Sequence, residues 1–414
     1  MTRGGGSRKN LRMEKNRFVL SRVFFVLALS LAIFAASALI PPGARAQKGR
    51  IKVATQTPLS GEQAALGEPI KLGAQLAVEE AVKRFKALGY DLVLVPYDDQ
   101  AKPEVGVANA RNLAADPDVL LVVGHFNSGV ALPSSDVYKE SMLAMISPAN
   151  TATEITDRGY PNVNRVCGRD DVQGPLGAKF AAQDLKLKSV YIIQDKTPYG
   201  QGVSSNFRDE AKKLGMQVLG FEGTEEKTNF GPLIIPLKAK NPDLIYFGGI
   251  FNQGGLLLRQ LREKGVKSAF MGPDGLDDPE IVKIAGKRIT GAYYTTVAAP
   301  VGYNPDSAAF AAKFKQRFGK DVQSFGIYGY DAASVGLKAI ENAIQEIGGK
   351  KPTRQQVSTA VRKIKDFKGI TGSISFDSKG DPVHAKYFVL KFEEGKYPGK
   401  VVKVLEQSAG AKQS

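Results

Sequence analysis

Two hydroxyl residues, Ser128 and Thr151, each follow an apolar segment typical of a strand and precede a segment typical of a helix. Ser128 lies in GHFNSG at 124–129, and Thr151 lies in MISPANTATEIT at 145–156. Such a junction presents backbone N–H groups and the positive end of a helix dipole, which together favour a carboxylate. The pattern indicates a binding position for a small ligand with an anionic group. The alternative is that both residues are simple helix N-caps.

Three further candidate residues follow strand-like segments in the second half of the chain. Asp274 lies in the turn FMGPDG, where its carboxylate could meet an ammonium group. Tyr199 in QDKTPYGQG and Phe251 in GGIFNQGG could form an apolar wall with a polar tip. Each has a structural alternative, because Asp in a Pro-Asp-Gly turn commonly bonds its own backbone and aromatic residues commonly pack within a core.

The elements that must position these residues are short apolar segments that alternate with longer amphipathic ones. This alternation predicts a parallel sheet that is covered by helices on both faces. In the first part of the chain the predicted strands are 51–55, 91–97, 118–124 and 143–147, and the predicted helices are 69–88, 103–115 and 129–141.

The same alternation restarts after a break near Arg169. It predicts strands at 189–194, 216–221, 243–249 and 268–272, and helices at 200–214, 230–240 and 253–264. Two such units predict an α/β fold of two doubly wound, Rossmann-like lobes. Because ligands of open α/β sheets bind beyond the carboxyl ends of the strands, we expect the binding site in a cleft between the lobes.

The last third of the chain has a different order, with helices near 306–318, 328–347 and 353–365. These helices need a sheet to cover, so we expect the chain to return to the first lobe and to end on the second. The predicted first lobe comprises residues 47–168 and about 299–376, and the predicted second lobe comprises residues 169–298 and about 377–414.

Residues 1–46 are predicted to be a signal peptide that is cleaved before Gln47. A basic stretch leads into an apolar block at 23–39, and Ala44-Arg45-Ala46 follows. We therefore expect a periplasmic protein. A membrane anchor is the alternative, although the block is at the short limit of what spans a bilayer. The length of the basic stretch leaves Met13 open as the true start.

Composition argues against several classes of function. With one cysteine and two histidines, the chain cannot form an internal disulfide and has few ligands for zinc or haem, so we expect no cofactor. Eight of the 57 basic residues and one of the 41 acidic residues lie in 1–46, which leaves a formal charge of +9 for the rest. The lysines are spread over helix faces, which is typical of a solvated surface and not of a nucleic-acid interface.

Signatures of catalysis are missing from the sequence. There is no G-x-S-x-G, no G-x-G-x-x-G follows the first strand, and GGK at 348–350 lacks the upstream glycine of a phosphate-binding loop. The acid pairs Asp98-Asp99 and Asp277-Asp278 are adjacent in sequence, which is weak evidence for shared acid and base work. We therefore expect a binding protein and not an enzyme.

Taken together and in order, the motifs resemble the branched-chain amino-acid binding proteins of ABC transporters, which are type I periplasmic binding proteins. The resemblance covers nearly the whole chain after the signal peptide. It is carried by TPLSGEQAALGEPIKLGAQLA, YDDQAKPEVGVANARNL, GHFNSG, MISPANTATEIT, QGPLGAKFA, QDKTPYGQG, DLIYFGG, LLLRQLREKG and FMGPDG.

The resemblance implies two lobes joined by three crossing strands, with an amino acid held between them by its carboxylate and its ammonium group. It assigns the carboxylate to Ser128 and Thr151 with the backbone at Asn127 and Asn150, and the ammonium group to Asp274. It also places Tyr199 and Phe251 among the second-lobe contacts. The implied partners are the permease subunits of an ABC transporter at the membrane, and we expect the receptor to be a monomer.

The sequence departs from the family's pattern at three positions. Leu66 stands where leucine-type receptors often carry an aromatic residue in the side-chain pocket, so we include it among the ligand-binding candidates. Asp274 is one methylene shorter than the frequent glutamate, and Phe251 replaces a frequent tyrosine. A shorter acid suggests a bridging water or a slightly larger ligand, so the ligand's side chain stays open.

Three hypotheses follow from these observations. The first is a periplasmic receptor for an aliphatic amino acid. The second is the same receptor with an amide, urea or an aromatic acid as ligand, for which Asp274 would not matter because such ligands lack an ammonium group. The third is a sensory module that contacts a protein partner instead of a transporter.

Overall fold

The computed structural model describes residues 48–408, so the predicted signal peptide lies outside the described residues. Within that range the chain forms two sheets that are flanked by helices, together with a small two-stranded ribbon. The predicted α/β fold with two lobes is confirmed. We call the part built on the first sheet the first lobe and the part built on the second sheet the second lobe.

The first sheet is wholly parallel, with the strand order β2-β1-β3-β4-β5. Its central strand β3 is buried at every position, as expected for a strand that is covered on both faces. The strands are β1 Gly49–Thr57, β2 Tyr90–Asp98, β3 Val119–Gly124, β4 Ala144–Ser147 and β5 Val163–Arg165.

Four helices connect or follow these strands. The longest ends where Gly89 adopts a left-handed conformation (φ 94°) and donates its N–H to the carbonyls of the last turn. The helices are α1 Ala64–Leu88, α2 Pro103–Ala115, α3 Ser128–Glu140 and α4 Glu154–Asp157.

The second sheet is mixed, because two late antiparallel strands extend its parallel part. Its order is β14-β13-β10-β9-β8-β6-β7. The parallel strands are β6 Ser189–Gln194, β7 Gln217–Gly223, β8 Leu244–Gly248, β9 Ala269–Gly272 and β10 Tyr293–Thr296. The ribbon strands are β11 Phe367–Lys368 and β12 Ser373–Ile374, and the antiparallel strands of the second sheet are β13 His384–Lys391 and β14 Lys400–Ser408.

The helices of the second lobe lie between its parallel strands, and they are followed by three helices that return to the first lobe. Those of the second lobe are α5 Asp170–Lys179, α6 Pro198–Lys213, α7 Gly231–Lys240, α8 Phe251–Glu263 and α9 Glu280–Ala285. The returning helices are α10 Pro305–Phe318, α11 Ser324–Glu346 and α12 Arg354–Arg362.

Helix α11 packs along α1 and covers β3 and β4, while α12 also contacts these two strands. The late helices therefore cover the first sheet. The chain passes between the sheets three times, at 166–169, 297–304 and 375–383, and we call these the first, second and third crossing segments. The residue boundaries predicted for the two lobes stay a prediction.

None of the helices in residues 48–408 is long and apolar enough to cross a membrane.

Candidate functional site

A cavity of about 140 Å³ lies where residues of both lobes meet beyond the carboxyl ends of their strands. The first lobe contributes Gln63, Ala101, Pro103, Phe126, Asn127, Ser128, Gly129, Val130 and Ala149. The second lobe contributes Asp195, Thr197, Pro198, Tyr199, Ile250 and Asp274. Four of the predicted ligand-binding residues, Asn127, Ser128, Tyr199 and Asp274, thus line one cavity.

The first-lobe wall is formed by the loop between β3 and α3 and by the first turn of that helix. Asn127 is the N-cap of α3, and its side-chain amide donates to Gln63 Oε1 at 2.7 Å. Ser128 is the first helical residue and is 2% exposed. Its only described hydrogen bond is a long one, in which Oγ accepts from the Ala152 amide at 3.4 Å. The Ser128 hydroxyl can therefore donate to a ligand.

A second helix begins on the opposite side of the cavity. Thr197 is the N-cap of α6, and its hydroxyl accepts from the Gly200 amide at 3.0 Å. A Cβ placed on Gly129 would lie 3.2 Å from Pro198 Cδ, so the first turns of α3 and α6 approach each other closely. Two helix N-termini at one cavity favour an anionic group of a ligand.

Asp274 lies at the start of a short 3₁₀ turn that directly follows β9. Its carboxylate accepts from the Tyr199 hydroxyl at 2.8 Å, and the same hydroxyl accepts from the Gly275 amide at 2.7 Å. Burial raises the pKa of Asp274 to about 6, although hydrogen bonds from Tyr199 and Gln173 oppose the shift. Asp274 is therefore mainly ionised at neutral pH. A cationic group of a ligand would be a favourable partner for its carboxylate.

Asp170, which the sequence reasoning missed, is a second buried acid near this position. Neither of its carboxyl oxygens has a hydrogen-bond partner among the described residues, and Thr151 lies nearby without forming a hydrogen bond of standard geometry. Burial, followed by the charge of Asp274, raises the pKa of Asp170 well above its ordinary value. The charge of Asp274 thus contributes to the raised pKa of Asp170, and a ligand cation beside the two acids would favour their ionised forms.

The other four predicted residues do not line the cavity. The side chain of Asn150 donates to the Phe126 carbonyl at 2.7 Å and accepts from the His125 amide at 3.0 Å, so it supports the cavity wall from behind. Thr151 is wholly buried. Leu66 is 2% exposed within the core, and Phe251 lines a neighbouring open cavity. Their contacts with a ligand stay a prediction.

The structure also bears on the alternative that Ser128 and Thr151 are helix caps. The N-cap of α3 is Asn127, and the N-cap of α4 is Thr153. Neither hydroxyl residue is therefore used as a cap, which leaves both side chains available for other contacts.

His125 and Cys167 are also titratable, and both are buried in the core. His125 is wholly buried, with Nδ1 3.2 Å from Asp99 Oδ2 and with Tyr138 beside its ring. Cys167 is buried, and burial raises the pKa of its thiol. Residues 48–408 contain no group of three or more acidic, histidine or cysteine side chains placed to bind a metal ion.

Comparison with known proteins gives a consistent result. A family model described as "Periplasmic binding protein" matches residues 50–396. The chain is 37% identical to Leu/Ile/Val-binding protein homolog 2 of Brucella abortus, over 84% of this chain and 92% of that protein. It is 35% identical to the leucine-, isoleucine-, valine-, threonine- and alanine-binding protein of Pseudomonas aeruginosa, over 92% of this chain and 98% of that protein.

A solved structure shares the fold over the same region. The crystal structure of the leucine-binding protein LivK from Thermotoga maritima has a TM-score of 0.78 and 29% sequence identity. The match covers 86% of this chain and 98% of that one. The family predicted from the motifs is confirmed, and the chain belongs to the periplasmic binding proteins.

Proposed function

We propose that this protein is the solute receptor of an ABC importer, that it binds an aliphatic amino acid between its lobes, and that it delivers this ligand to a permease. The observation that carries the proposal is that two helix N-termini and a buried carboxylate line the same small cavity. The relatives in this family are named for binding leucine, isoleucine and valine, which supports the same class of ligand.

The ligand's carboxylate is assigned to the helix side of the cavity. There the Ser128 hydroxyl and the first amides of α3 would donate to it, and the facing N-terminus of α6 would add a favourable dipole. Among residues 48–408, no lysine or arginine side chain lines the cavity. Neutral donors and helix dipoles therefore supply the attraction.

The ligand's ammonium group is assigned to Asp274. Its carboxylate is already oriented by the Tyr199 hydroxyl, so little ordering is needed when the ligand arrives. Asp170 is a second buried acid near Asp274. The carboxylate of Asp274 on this side and the helix N-termini on the other suit a zwitterion.

The ligand's side chain is assigned to the apolar part of the cavity. Phe126 and Ala149 contribute apolar surface from the first lobe, and Ile250 contributes it from the second. A cavity of about 140 Å³ is smaller than pockets for drug-sized ligands, which run from about 300 to 1,000 Å³. This favours a small aliphatic side chain.

The family and the sequence also bear on activity, location and partners. Members of the family are receptors of transporters and not enzymes, so we propose no catalytic activity. The basic and apolar residues before Gln47 support export to the periplasm by a cleaved signal peptide. We further propose that the receptor is a monomer and that it contacts the permease subunits of the importer.

Asp274→Asn tests the proposal most simply, because it keeps the side chain's shape and removes its charge. We expect leucine affinity to fall by about 2 to 4 kcal/mol, which is roughly 30- to 900-fold, because the ammonium group loses its buried partner. Isothermal titration calorimetry measures the change.

Asp277→Asn is the matched control. Asp277 is also buried and its pKa is likewise raised to about 6 by burial, but it accepts from Thr296 and Tyr397 and does not line the cavity. We expect its leucine affinity to stay within threefold of the wild type. Equal affinity in Asp274→Asn and the wild type would remove Asp274 from the ligand's surroundings.

A further inference from the structure

Arg165 is a wholly buried arginine at the end of β5, where the chain first leaves the first sheet. Its Nη1 donates to the carbonyl of Asn150 at 2.8 Å and to the carbonyl of Ala152 at 2.9 Å. These two carbonyls flank Thr151. The guanidinium group of Arg165 therefore fixes the position of the loop at 150–152.

The same loop supports the wall of the cavity on its other side. The Asn150 side chain donates to the Phe126 carbonyl at 2.7 Å, and the Ala152 amide donates to Ser128 Oγ at 3.4 Å. Phe126 and Ser128 both line the cavity. Arg165 is thus separated from the ligand position by one loop, without lining the cavity itself.

Arg165 is held in turn by the third crossing segment. The carboxylate of Asp381 accepts from Arg165 Nε at 2.6 Å, from Arg169 Nη1 at 2.8 Å and from the Thr156 hydroxyl at 2.8 Å. The Arg165 amide also donates to the Gly380 carbonyl at 2.9 Å. Burial alone would raise the pKa of Asp381, but the two guanidinium charges lower it, so the carboxylate stays ionised.

These contacts form one continuous path from a crossing segment to the cavity. Asp381 orients Arg165, Arg165 fixes the loop at 150–152, and that loop sets the positions of Phe126 and Ser128. An arginine suits this role because its planar group donates in several fixed directions, whereas a lysine ammonium cannot reach the carboxylate and both carbonyls in the same geometry.

We propose that Arg165 is a positioning residue for ligand binding and that Asp381 anchors it, so that the third crossing segment controls the shape of the first-lobe wall. This inference rests on the proposed function. It assigns a role in affinity to two residues that do not touch the cavity. The third crossing segment and the first-lobe wall of the cavity are then held in place by one set of contacts.

Arg165→Lys tests the inference, and Arg362→Lys is its matched control. Arg362 also joins β5 to the third crossing segment, because it donates to Asn164 Oδ1 at 2.8 Å, to the Val163 carbonyl at 3.0 Å and to the Ser378 carbonyl at 2.5 Å. It makes no described contact with residues 150–152. Both variants therefore replace an arginine that joins β5 to the third crossing segment, whereas Arg165 also contacts the loop at 150–152 behind the cavity wall.

We expect Arg165→Lys to weaken leucine binding at least tenfold and Arg362→Lys to weaken it less than threefold. Calorimetry is done well below the melting temperature of each variant, so that both remain folded. Asp381→Asn serves as a second variant and should also weaken binding at least tenfold. A loss of the same size in the control, or unchanged affinity in both Arg165→Lys and Asp381→Asn, would overturn the inference.

Hydrogen–deuterium exchange of the ligand-free protein gives a readout that does not depend on the ligand. We expect amides at 126–129 and 150–153 to exchange at least tenfold faster in Arg165→Lys and in Asp381→Asn than in Arg362→Lys. Equal exchange in all three would overturn the positioning role. If the wild type binds no amino acid, the proposed function fails, while the exchange result still decides whether Arg165 orders the wall.

Discussion

The buried Asp274 and its hydrogen bond from the Tyr199 hydroxyl determine which ligand group the second lobe can bind. Burying a carboxylate without a cationic partner is unfavourable, which is why the pKa of Asp274 is raised to about 6. A ligand ammonium would supply the missing partner and lower that pKa again. Binding and proton release should therefore be linked.

Leucine binding near pH 6 should release a fraction of a proton from Asp274. The ligand-free protein binds that proton because its pKa is about 6, whereas the complex favours the ionised form. Affinity should accordingly be constant above about pH 7 and fall as the pH decreases through 6. Calorimetry in two buffers with different ionisation enthalpies measures the released protons. Equal binding enthalpies in both buffers at pH 6 would contradict the assignment.

How far the site could be predicted also depends on single residues. The cavity residues that could be identified, Asn127, Ser128, Tyr199 and Asp274, each lie within five residues of the end of a strand, and strand ends can be recognised in the sequence. Asp170 was not identified, because its neighbours in space come from other elements. Gln63 and Ile250 were missed although both lie inside quoted segments, TPLSGEQAALGEPIKLGAQLA and GGIFNQGG, because neither residue type signals binding.

At the scale of elements, the close approach of α1 and α11 fixes the first lobe. A Cβ placed on Gly73 would lie 1.9 Å from the Gly326 carbonyl oxygen, so the two helices touch through backbone at this point. Only glycine allows this separation. The long helix that returns late in the chain can therefore cover the first sheet closely.

Gly73→Ala should destabilise the protein by about 1 to 3 kcal/mol, because the added methyl group forces the helices apart. Urea unfolding measures the loss. Gly202→Ala in α6 is the control, since its nearest neighbour would be Asp170 Oδ2 at 3.8 Å. It should be neutral or should stabilise by up to about 1 kcal/mol through helix propensity. If Gly73→Ala were as stable as the control, α1 and α11 would not be in close contact at Gly73.

Most elements follow from the sequence because their apolar spacing is regular. The predicted helix 103–115 and strand 189–194 match α2 and β6 at both ends. Helix α5 is different, since Pro175 and two glycines interrupt its pattern, and packing against α6 stabilises it instead. Strand β14 pairs with the preceding strand β13 at the edge of its sheet, and its residues 400–407 are exposed or half-buried, so it lacks the buried apolar run that marks the central strands.

The two lobes are close together at the cavity. Gly129 of the first lobe faces Pro198 of the second, and Asn252 Nδ2 lies 3.3 Å from Glu62 Oε2 across the same gap. These contacts are typical of a closed conformation, in which a ligand between the lobes would favour closure by touching both.

Gly129→Val should weaken ligand binding by hindering closure, with little effect on the stability of the ligand-free protein. Its side chain would meet Pro198, because even a Cβ would lie 3.2 Å from Pro198 Cδ. We expect a loss of roughly tenfold or more in leucine affinity, and a smaller loss for Gly129→Ala. Small-angle X-ray scattering should show no compaction of the valine variant with leucine at a concentration that compacts the wild type. Wild-type compaction and affinity in that variant would contradict a close approach.

We propose that the cavity recognises a zwitterion, with its carboxylate at the helix N-termini and its ammonium group at Asp274. The most direct measurement is calorimetry of the wild type with three ligands: leucine, 4-methylpentanoate, which lacks the ammonium group, and 3-methylbutylamine, which lacks the carboxylate. We predict that leucine binds and that each analogue binds at least 100-fold more weakly. Binding of 4-methylpentanoate as tight as that of leucine, or no binding of leucine, would contradict recognition of a zwitterion.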